Sequence, residues 1–287
     1  MNYRDRVGNS FHEDSFQDKF LKKVYRSTCG RMLMRPLVVP AVSELGGKLL
    51  NTHLSSYFVP GFIRRNHIHM EDYETCAYNS YNDFFTRKIR PEARPIEMIS
   101  EALISPSDGK VSVYPVSSQG IITIKHSDYS VASLLRDKAL AKDYEGGICF
   151  VIRLTVDNYH HYCYVDSGKK TCNRVIPGLY HTVNPVAFEH IKVFKENTRA
   201  YCGIHSPNFG NIIQMEVGAM MVGKIVNLHE EKMVTRGEEK GYFEFGGSTI
   251  VLLVKKDRVK VCEDIAKNMA DGYETLVKMG EVIGWKA

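Results

Sequence analysis

From about residue 104 onward the sequence consists of short β-type runs separated by turn residues. This pattern constrains the fold more than any other feature of the sequence. The runs are 121–124, 149–156, 212–217, 220–228 and 249–254. The turn pairs between them include Asp108-Gly109, Pro177-Gly178 and Gly246-Gly247. Helical spacing is sparse here, apart from 130–141 and 185–195. Because a doubly wound sheet needs a helix between successive strands, the pattern predicts an antiparallel, β-rich domain.

The N-terminal part of the chain has a helical texture instead. Over 16–35 the pattern predicts a helix, because Phe16, Phe20 and Val24 recur at a spacing of four. No acidic residue occurs over 19–43, and basic residues surround the apolar stripe. They are Lys19, Lys22, Lys23, Arg26, Arg31 and Arg35. A basic helix with an aromatic face can lie in a membrane interface, and the alternative is an ordinary helix packed on the domain.

The ends of the chain and its composition exclude several classes of protein. Residues 1–15 are polar and expected to be loose, whereas the tail over 263–283 has helical character. The sequence has no run of about 18 apolar residues, the length that a membrane-spanning helix needs. The N-terminus lacks the apolar core of a signal peptide. A net charge of +5 is too small to indicate nucleic acid. Seven cysteines without CxxC spacing argue against disulfide frameworks and zinc ribbons, and favour a reducing compartment.

Two glycines precede Ser248, immediately before an apolar run. Glycine permits backbone conformations closed to other residues and leaves the Gly247 carbonyl unshielded, so the Ser248 hydroxyl can reach it. The alternative is a glycine turn that opens a strand. The GxSxG elbow of serine hydrolases does not fit, because Ile250 occupies the position of its last glycine.

His160 and His161 follow the strongest predicted strand. Adjacent side chains of an extended chain point to opposite faces, so at most one of them faces a given site. Histidine is the natural base at neutral pH, and Asp108, in a turn-forming Asp-Gly pair, could orient it. Asp108, one histidine and Ser248 are therefore the ingredients of an acid–base–nucleophile arrangement. No third ligand occurs at a telling spacing, so no metal site is predicted.

An ordered series of segments resembles the phosphatidylserine decarboxylases. In chain order they are 81–87 with 94–96 (FFTR…RPI), 105–109 (P-x-D-G), 157–168 (DYHR-x-H…G), 217–223 (VGA-x-x-VG) and 241–249 (the glycine-serine processing site). One segment departs from the family pattern. His160 matches its first histidine, but His161 takes the arginine position and Cys163 that of the second histidine. The family's base for self-cleavage is usually assigned to the second histidine, so His160, His161 and Cys163 all stay open as that base.

The resemblance implies a self-processing mechanism. Ser248, deprotonated by a base that Asp108 holds, would attack Gly247 and cut the chain into a large piece, 1–247, and a small piece, 248–287. Elimination and hydrolysis would turn Ser248 into a covalent pyruvoyl cofactor, with no pyridoxal phosphate and no metal. The ketone would form a Schiff base with the amine of phosphatidylserine, and loss of carbon dioxide would give phosphatidylethanolamine. His160 would then protonate the carbanion.

Pattern and resemblance together imply an α+β chain, with a helical membrane-docking region over 1–77 and an antiparallel β-rich catalytic domain over 78–287. The expected partners are phosphatidylserine, a membrane surface and the chain's own second piece, with higher homo-oligomers left open and no nucleic acid. The expected location is peripheral, on the cytoplasmic face of a bacterial membrane. Three rivals stay open: a pyruvoyl decarboxylase for a soluble amino acid, a serine hydrolase and a lipid-surface binding module.

Overall fold

The structure, a computed structural model, confirms the predicted α+β class with β-rich, antiparallel sheets. It describes residues 2–12, 27, 30, 32, 40–124, 127–181, 193–219, 224–244 and 248–287. The helix predicted over 16–35 lies outside these residues apart from three isolated positions, so the helical docking region is not confirmed. The predicted division of the chain at residues 77 and 78 stays a prediction.

Strands dominate the described residues. In chain order they are β1 (Asn2–Arg4), β2 (Ser10–His12), β3 (Ala102–Ile104), β4 (Gly109–Pro115), β5 (Ile121–Ile124), β6 (Ser127–Ser130), β7 (Ile148–Leu154), β8 (His161–Cys163), β9 (Gly168–Lys170), β10 (Arg174–Ile176), β11 (Arg199–Ser206), β12 (Gly210–Val217), β13 (Ile225–Asn227), β14 (Lys232–Val234), β15 (Glu239–Phe243), β16 (Ser248–Val254), β17 (Val259–Val261), β18 (Glu274–Val277) and β19 (Val282–Lys286). The predicted runs 121–124, 149–156, 212–217 and 249–254 thus form strands, and so does the described end of 220–228.

The α-helices within the described residues are short. They are α1 (Pro40–Leu50), α2 (Val59–Arg65), α3 (Tyr81–Phe85), α4 (Val131–Leu135), α5 (Lys138–Lys142), α6 (Val193–Glu196) and α7 (Glu263–Ala270). Short 3₁₀ helices lie at His53–Phe58, Met70–Asp72 and Pro91–Ala93. The helix predicted over 130–141 is confirmed as the pair α4 and α5, while most of the one predicted over 185–195 lies outside the described residues. None of the described helices is both long and apolar enough to cross a bilayer.

An eleven-stranded main sheet organises the chain. Its order is β14-β9-β11-β12-β16-β7-β4-β18-β1-β2, with β10 added to β11, and it is antiparallel except where β1 runs parallel to β18. The central strand β16 opens at Ser248, which pairs with Leu154 of β7, and Thr249 pairs with Val217 of β12. Phe150, Ile250 and Leu252 on these central strands are fully buried. Burial of each side chain contributes about 1.5–3 kcal/mol to the free energy of folding.

A smaller sheet, ordered β13-β15-β8, packs on one face of the main sheet. The Gln214 side-chain amide of β12 donates to the Cys163 carbonyl of β8 over 2.9 Å. The Lys240 ammonium of β15 donates to Glu216 of β12 over 2.6 Å. Glu216 therefore points toward the smaller sheet, and Ile250 of β16, which pairs with Glu216, points the same way. Residues two apart on a strand share a face, so Ser248 also points into the layer between the two sheets.

Both ends of the chain differ from expectation. The prediction that residues 1–15 are loose is wrong for 2–12, because β1 pairs with β18 and β2 pairs with β1. The helical prediction for the tail over 263–283 is right only as far as Ala270. Gly272 has a φ of +82°, a left-handed conformation that commonly ends helices, and the β-branched residues beyond it form β18 and β19.

Candidate active site

Ser248 is a fully buried serine at the first position of the central strand. Its hydroxyl makes no hydrogen bond to any of the described residues. A buried hydroxyl without a partner forfeits free energy, and such groups commonly mark reactive sites. Gly246 and Gly247, which the sequence analysis placed beside it, lie outside the described residues.

His160 lies on the segment 155–160, which links β7 to β8. At one end of this segment Leu154 pairs with Ser248, and at the other end His161 pairs with Tyr242 of β15. The Phe243 amide donates to the His160 carbonyl over 3.0 Å. The strand register therefore places His160 on a segment that begins beside Ser248.

The surroundings of the His160 ring suit a base. Its Nδ1 lies 2.9 Å from the Asn158 carbonyl oxygen. A carbonyl only accepts, so Nδ1 carries the proton and the neutral ring keeps its lone pair on Nε2. The ring is buried and packs on Phe85 with centroids 4.0 Å apart.

His161 is held on both ring nitrogens. Nδ1 lies 2.6 Å from a Glu239 carboxylate oxygen, and Nε2 lies 3.0 Å from the Thr86 carbonyl oxygen. Both partners are acceptors, so the two hydrogen bonds form together only when both nitrogens carry protons. The ring also stacks between Tyr159 and Tyr242, and its hydrogen bond lowers the pKa of Glu239. This histidine fixes β8 against its neighbours, and both of its ring nitrogens already have hydrogen-bond partners.

Cys163 is a buried thiol where the family has its second histidine. Burial raises its pKa to about 12, so the thiol stays protonated at neutral pH and is a poor base. Its backbone amide donates to the Pro106 carbonyl over 2.8 Å. Through this hydrogen bond, β8 is tied to the turn that carries Asp108.

Asp108 is bound on both carboxylate oxygens. Arg94 donates to them with Nε over 2.7 Å and with Nη2 over 2.6 Å, and the Met279 amide adds a bond of 2.9 Å. Arg94 and Asp108 are both buried. In the described part of the chain, no hydrogen bond joins Asp108 to His160 or His161. The sequence analysis included Arg94 in a motif without recognising it as the partner of Asp108.

The register places Asp108 near the level of Ser248 in the main sheet. Arg153 of β7 pairs with Lys110 on one side and with Thr249 on the other. The strand that follows Asp108 and the strand that begins at Ser248 therefore flank β7, about 10 Å apart. Gly109 permits this packing, because a Cβ there would lie 2.8 Å from the Arg153 carbonyl oxygen.

Asn197 is a buried residue that the sequence analysis missed. Its side chain accepts from the His181 amide over 2.9 Å and donates to the carbonyls of His181 and Gly218 over 2.7 and 2.8 Å. Gly218 directly follows Val217, the partner of Thr249, and so lies beside Ser248. Asn197 thus holds the backbone at one side of the serine. An asparagine outside any recognised motif gave no signal of this role.

Glu216 and Lys240 form a second buried ion pair that sequence reasoning missed. Both side chains are fully buried, 2.6 Å apart, and Asn227 also accepts from Lys240 over 2.7 Å. Burial raises the pKa of Glu216, and Lys240 counteracts part of that rise. The pair joins β12, the strand beside Ser248, to β15, the strand that precedes the Gly247–Ser248 bond in the chain.

In the described part of the chain, no group of three His, Cys, Asp or Glu side chains could hold a metal ion.

Comparisons with known proteins agree with the motif series. The sequence model of the family "Phosphatidylserine decarboxylase" matches residues 81–285. "Phosphatidylserine decarboxylase proenzyme 2" of Clostridium acetobutylicum is 42% identical over 275 residues, which cover 96% of this chain and 94% of the relative. "Phosphatidylserine decarboxylase proenzyme" of Clostridium botulinum is 38% identical over 289 residues, which cover 98% of each. On this match, the chain belongs to the phosphatidylserine decarboxylase family and is a carboxy-lyase.

Proposed function

We propose that this enzyme cuts itself between Gly247 and Ser248 and then decarboxylates phosphatidylserine to phosphatidylethanolamine. The observation that carries the proposal is the buried Ser248 hydroxyl, at the head of the central strand and beside the connection that carries His160. The word "proenzyme" in the relatives' names supports processing. Cleavage would give a large chain, 1–247, and a small chain, 248–287.

In self-cleavage, Ser248 supplies the nucleophile and His160 the base. Nε2 of His160 takes the hydroxyl proton, and the oxygen attacks the Gly247 carbonyl carbon, so that an ester replaces the amide. Elimination frees the carboxyl end of the large chain and leaves dehydroalanine on the small chain. Addition of one water to that dehydroalanine releases its nitrogen as ammonia and leaves a pyruvoyl group. Ser248 suits this role, because it is buried away from competing water. Asp108, held by Arg94, contributes a buried negative charge near the same level of the sheet.

In turnover, the pyruvoyl carbonyl would accept electrons from the substrate as carbon dioxide leaves, as pyridoxal phosphate does elsewhere. His160 holds the proton that the substrate carbon receives, because His161 is hydrogen-bonded on both nitrogens and Cys163 is a poor acid–base group. The layer between the two sheets excludes water from this proton transfer.

Access to a membrane lipid requires a surface that meets the bilayer. Five large apolar side chains on α1 and the following 3₁₀ helix are each at least 60% exposed, and we name them the docking surface. They are Leu45, Leu49, Leu54, Tyr57 and Phe58, with exposed fractions of 60–74%. Exposed Lys48, Arg64 and Arg65 lie on α1 and α2. An apolar surface with basic neighbours fits an anionic bilayer, so we place the enzyme peripherally on a bacterial membrane, with the predicted helix over 16–35 as a second contact.

The direct test is turnover by purified enzyme on vesicles that contain phosphatidylserine. Phosphatidylethanolamine and carbon dioxide should form in equal amounts. The Ser248→Ala variant should form neither, and treatment with borohydride should inactivate the wild type by reducing its ketone. Decarboxylation of free serine but not of the lipid would favour a soluble amino-acid substrate. Release of fatty acid by an intact chain would favour a hydrolase, and an inert intact chain would favour a lipid-binding module.

A further inference from the structure

We propose that residues 2–12, which we name the clasp, strengthen the binding of the small chain after self-cleavage, in addition to the pairing of β16 with β7 and β12. The inference rests on the proposed cleavage between Gly247 and Ser248. The clasp would belong to the large chain, yet most of its described bonds outside itself run to residues that would belong to the small chain. The partner of this surface is therefore the 248–287 piece of the same protein.

Backbone pairing is the first part of this interface. Strand β1 runs parallel to β18, with Tyr3 opposite Glu274 and Arg4 opposite Thr275. On its other side β18 pairs with β4, so β1 covers what would otherwise be an open strand edge. Strand β2 pairs with β1, and the Tyr3 and Phe11 rings stack with centroids 5.2 Å apart, which stiffens the hairpin.

Two arginines form the second part of the interface. Arg4 donates to Asp271 over 2.6 Å, and its guanidinium lies 4.0 Å from the centroid of the Tyr273 ring. Arg6 binds Asp264 with two nitrogens, and its Nη1 donates to the Val282 carbonyl over 2.7 Å. All of these acceptors follow Ser248 in the chain. The clasp thus contacts α7, the turn after it and β19.

Loss of these contacts would also disturb the residues around Asp108. The Met279 amide, two residues beyond β18, donates to Asp108 over 2.9 Å. The small chain therefore supplies both Ser248 and one of the bonds that hold Asp108. While the chain is intact, the peptide bond at 247–248 keeps these parts together. After cleavage only non-covalent contacts do, and the clasp covers the outer edge of the small chain.

The test uses self-cleaved enzyme with Arg4→Ala/Arg6→Ala, and as matched control Lys169→Ala/Arg174→Ala. The control pair breaks exposed ion pairs to Glu231 and Asp137, both within the large chain. Small-chain release is measured by size exclusion over a urea series, with chains identified by mass, and activity is followed on dilution. We expect the clasp variant to bind its small chain at least about tenfold more weakly, whereas the control matches the wild type.

A second variant separates the interface from a folding defect. Asp264→Ala/Asp271→Ala should also weaken retention, but by no more than the arginine variant, because the arginines keep their contacts with the Val282 carbonyl and the Tyr273 ring. The variant with all four substitutions should be no weaker than the arginine variant, because both doubles remove the same ion pairs. Equal retention by the clasp variant and the wild type, or fully additive losses, would overturn the clasp alone. A wild-type chain that stays uncut would overturn the proposed function, and the clasp with it.

Discussion

The layer around Ser248 and the docking surface differ in how they treat water. In the layer, charged and polar side chains are buried, and Arg94 with Asp108 and Lys240 with Glu216 lie in direct contact. In the docking surface, large apolar side chains stand in solvent, with Leu54 and Tyr57 each 74% exposed. Burying charge and exposing apolar area both cost free energy. The first cost fits a site that does chemistry, and the second fits a surface that meets a bilayer.

The two regions should therefore fail independently. A change to Ser248 or His160 in the buried layer should stop or slow processing or turnover and leave vesicle binding intact. A change on the docking surface should weaken vesicle binding and leave processing intact. The predictions below use this separation, in decreasing order of expected effect.

The largest effect inside the layer is expected from His160→Ala. It removes the base, so self-cleavage and any remaining turnover should slow by roughly 10²–10⁴-fold. His161→Gln should slow them much less, because both ring nitrogens of His161 are already hydrogen-bonded and hold β8 in place. The measurement is the half-time of cleavage by intact mass, followed by product formation on vesicles.

Two controls accompany this histidine pair. Melting temperatures of both variants show whether a slow variant is folded, and vesicle binding should equal that of the wild type for both. A His160→Ala protein that matures and turns over normally, beside a His161→Gln protein that does not, would reverse the assignment of the base.

The buried pair Glu216–Lys240 should behave as a unit. Glu216→Leu or Lys240→Met alone leaves a buried charge without its partner and should lower the free energy of unfolding by about 3–5 kcal/mol. The double variant removes both charges and should recover most of that loss and still mature. Urea unfolding in the uncut Ser248→Ala background measures all three. A double variant as unstable as either single would mean that the pair does more than balance charge.

On the docking surface, Leu54→Ser/Phe58→Ser should weaken binding to anionic vesicles by about tenfold or more, because apolar burial in the interface is lost. Its control is Val175→Ser/Met233→Ser, which changes two exposed apolar residues on the main sheet. Binding by the wild type should fall with added salt without vanishing. Equal sedimentation of all three proteins with vesicles, at every salt concentration, would remove this surface from the membrane.

The sequence predicted the strands better than the site, for physical reasons. The run 250–254 is apolar throughout and rich in β-branched residues, and such short runs favour buried strands. The tail over 263–283 was misread because helix and strand patterns are equally short there, and Gly272 decides between them. The serine and the histidine were proposed as site residues from their chemistry and motif order, and that assignment stays a prediction. Asn197, Glu216 and Lys240 were missed because their partners are distant in sequence and only the sheet register brings them together.

The smallest effect is expected from Cys163→Ser. The serine hydroxyl is close in volume to the thiol, and a thiol whose pKa is raised to about 12 contributes little as a base. Cleavage half-time and turnover should stay within about threefold of the wild type, well below the loss for a general base. A loss as large as that of His160→Ala would instead make Cys163 part of the proton transfer.

Intact mass of the purified wild type beside Ser248→Ala is the sharpest test of self-cleavage. We expect two wild-type chains, with masses of 1–247 and of 248–287 in which the first residue has lost its amine and gained a ketone. For Ser248→Ala we expect one uncut chain, with unchanged binding to vesicles. A wild type that remains a single chain while forming phosphatidylethanolamine, or a Ser248→Ala protein that splits normally, would contradict self-cleavage at this serine.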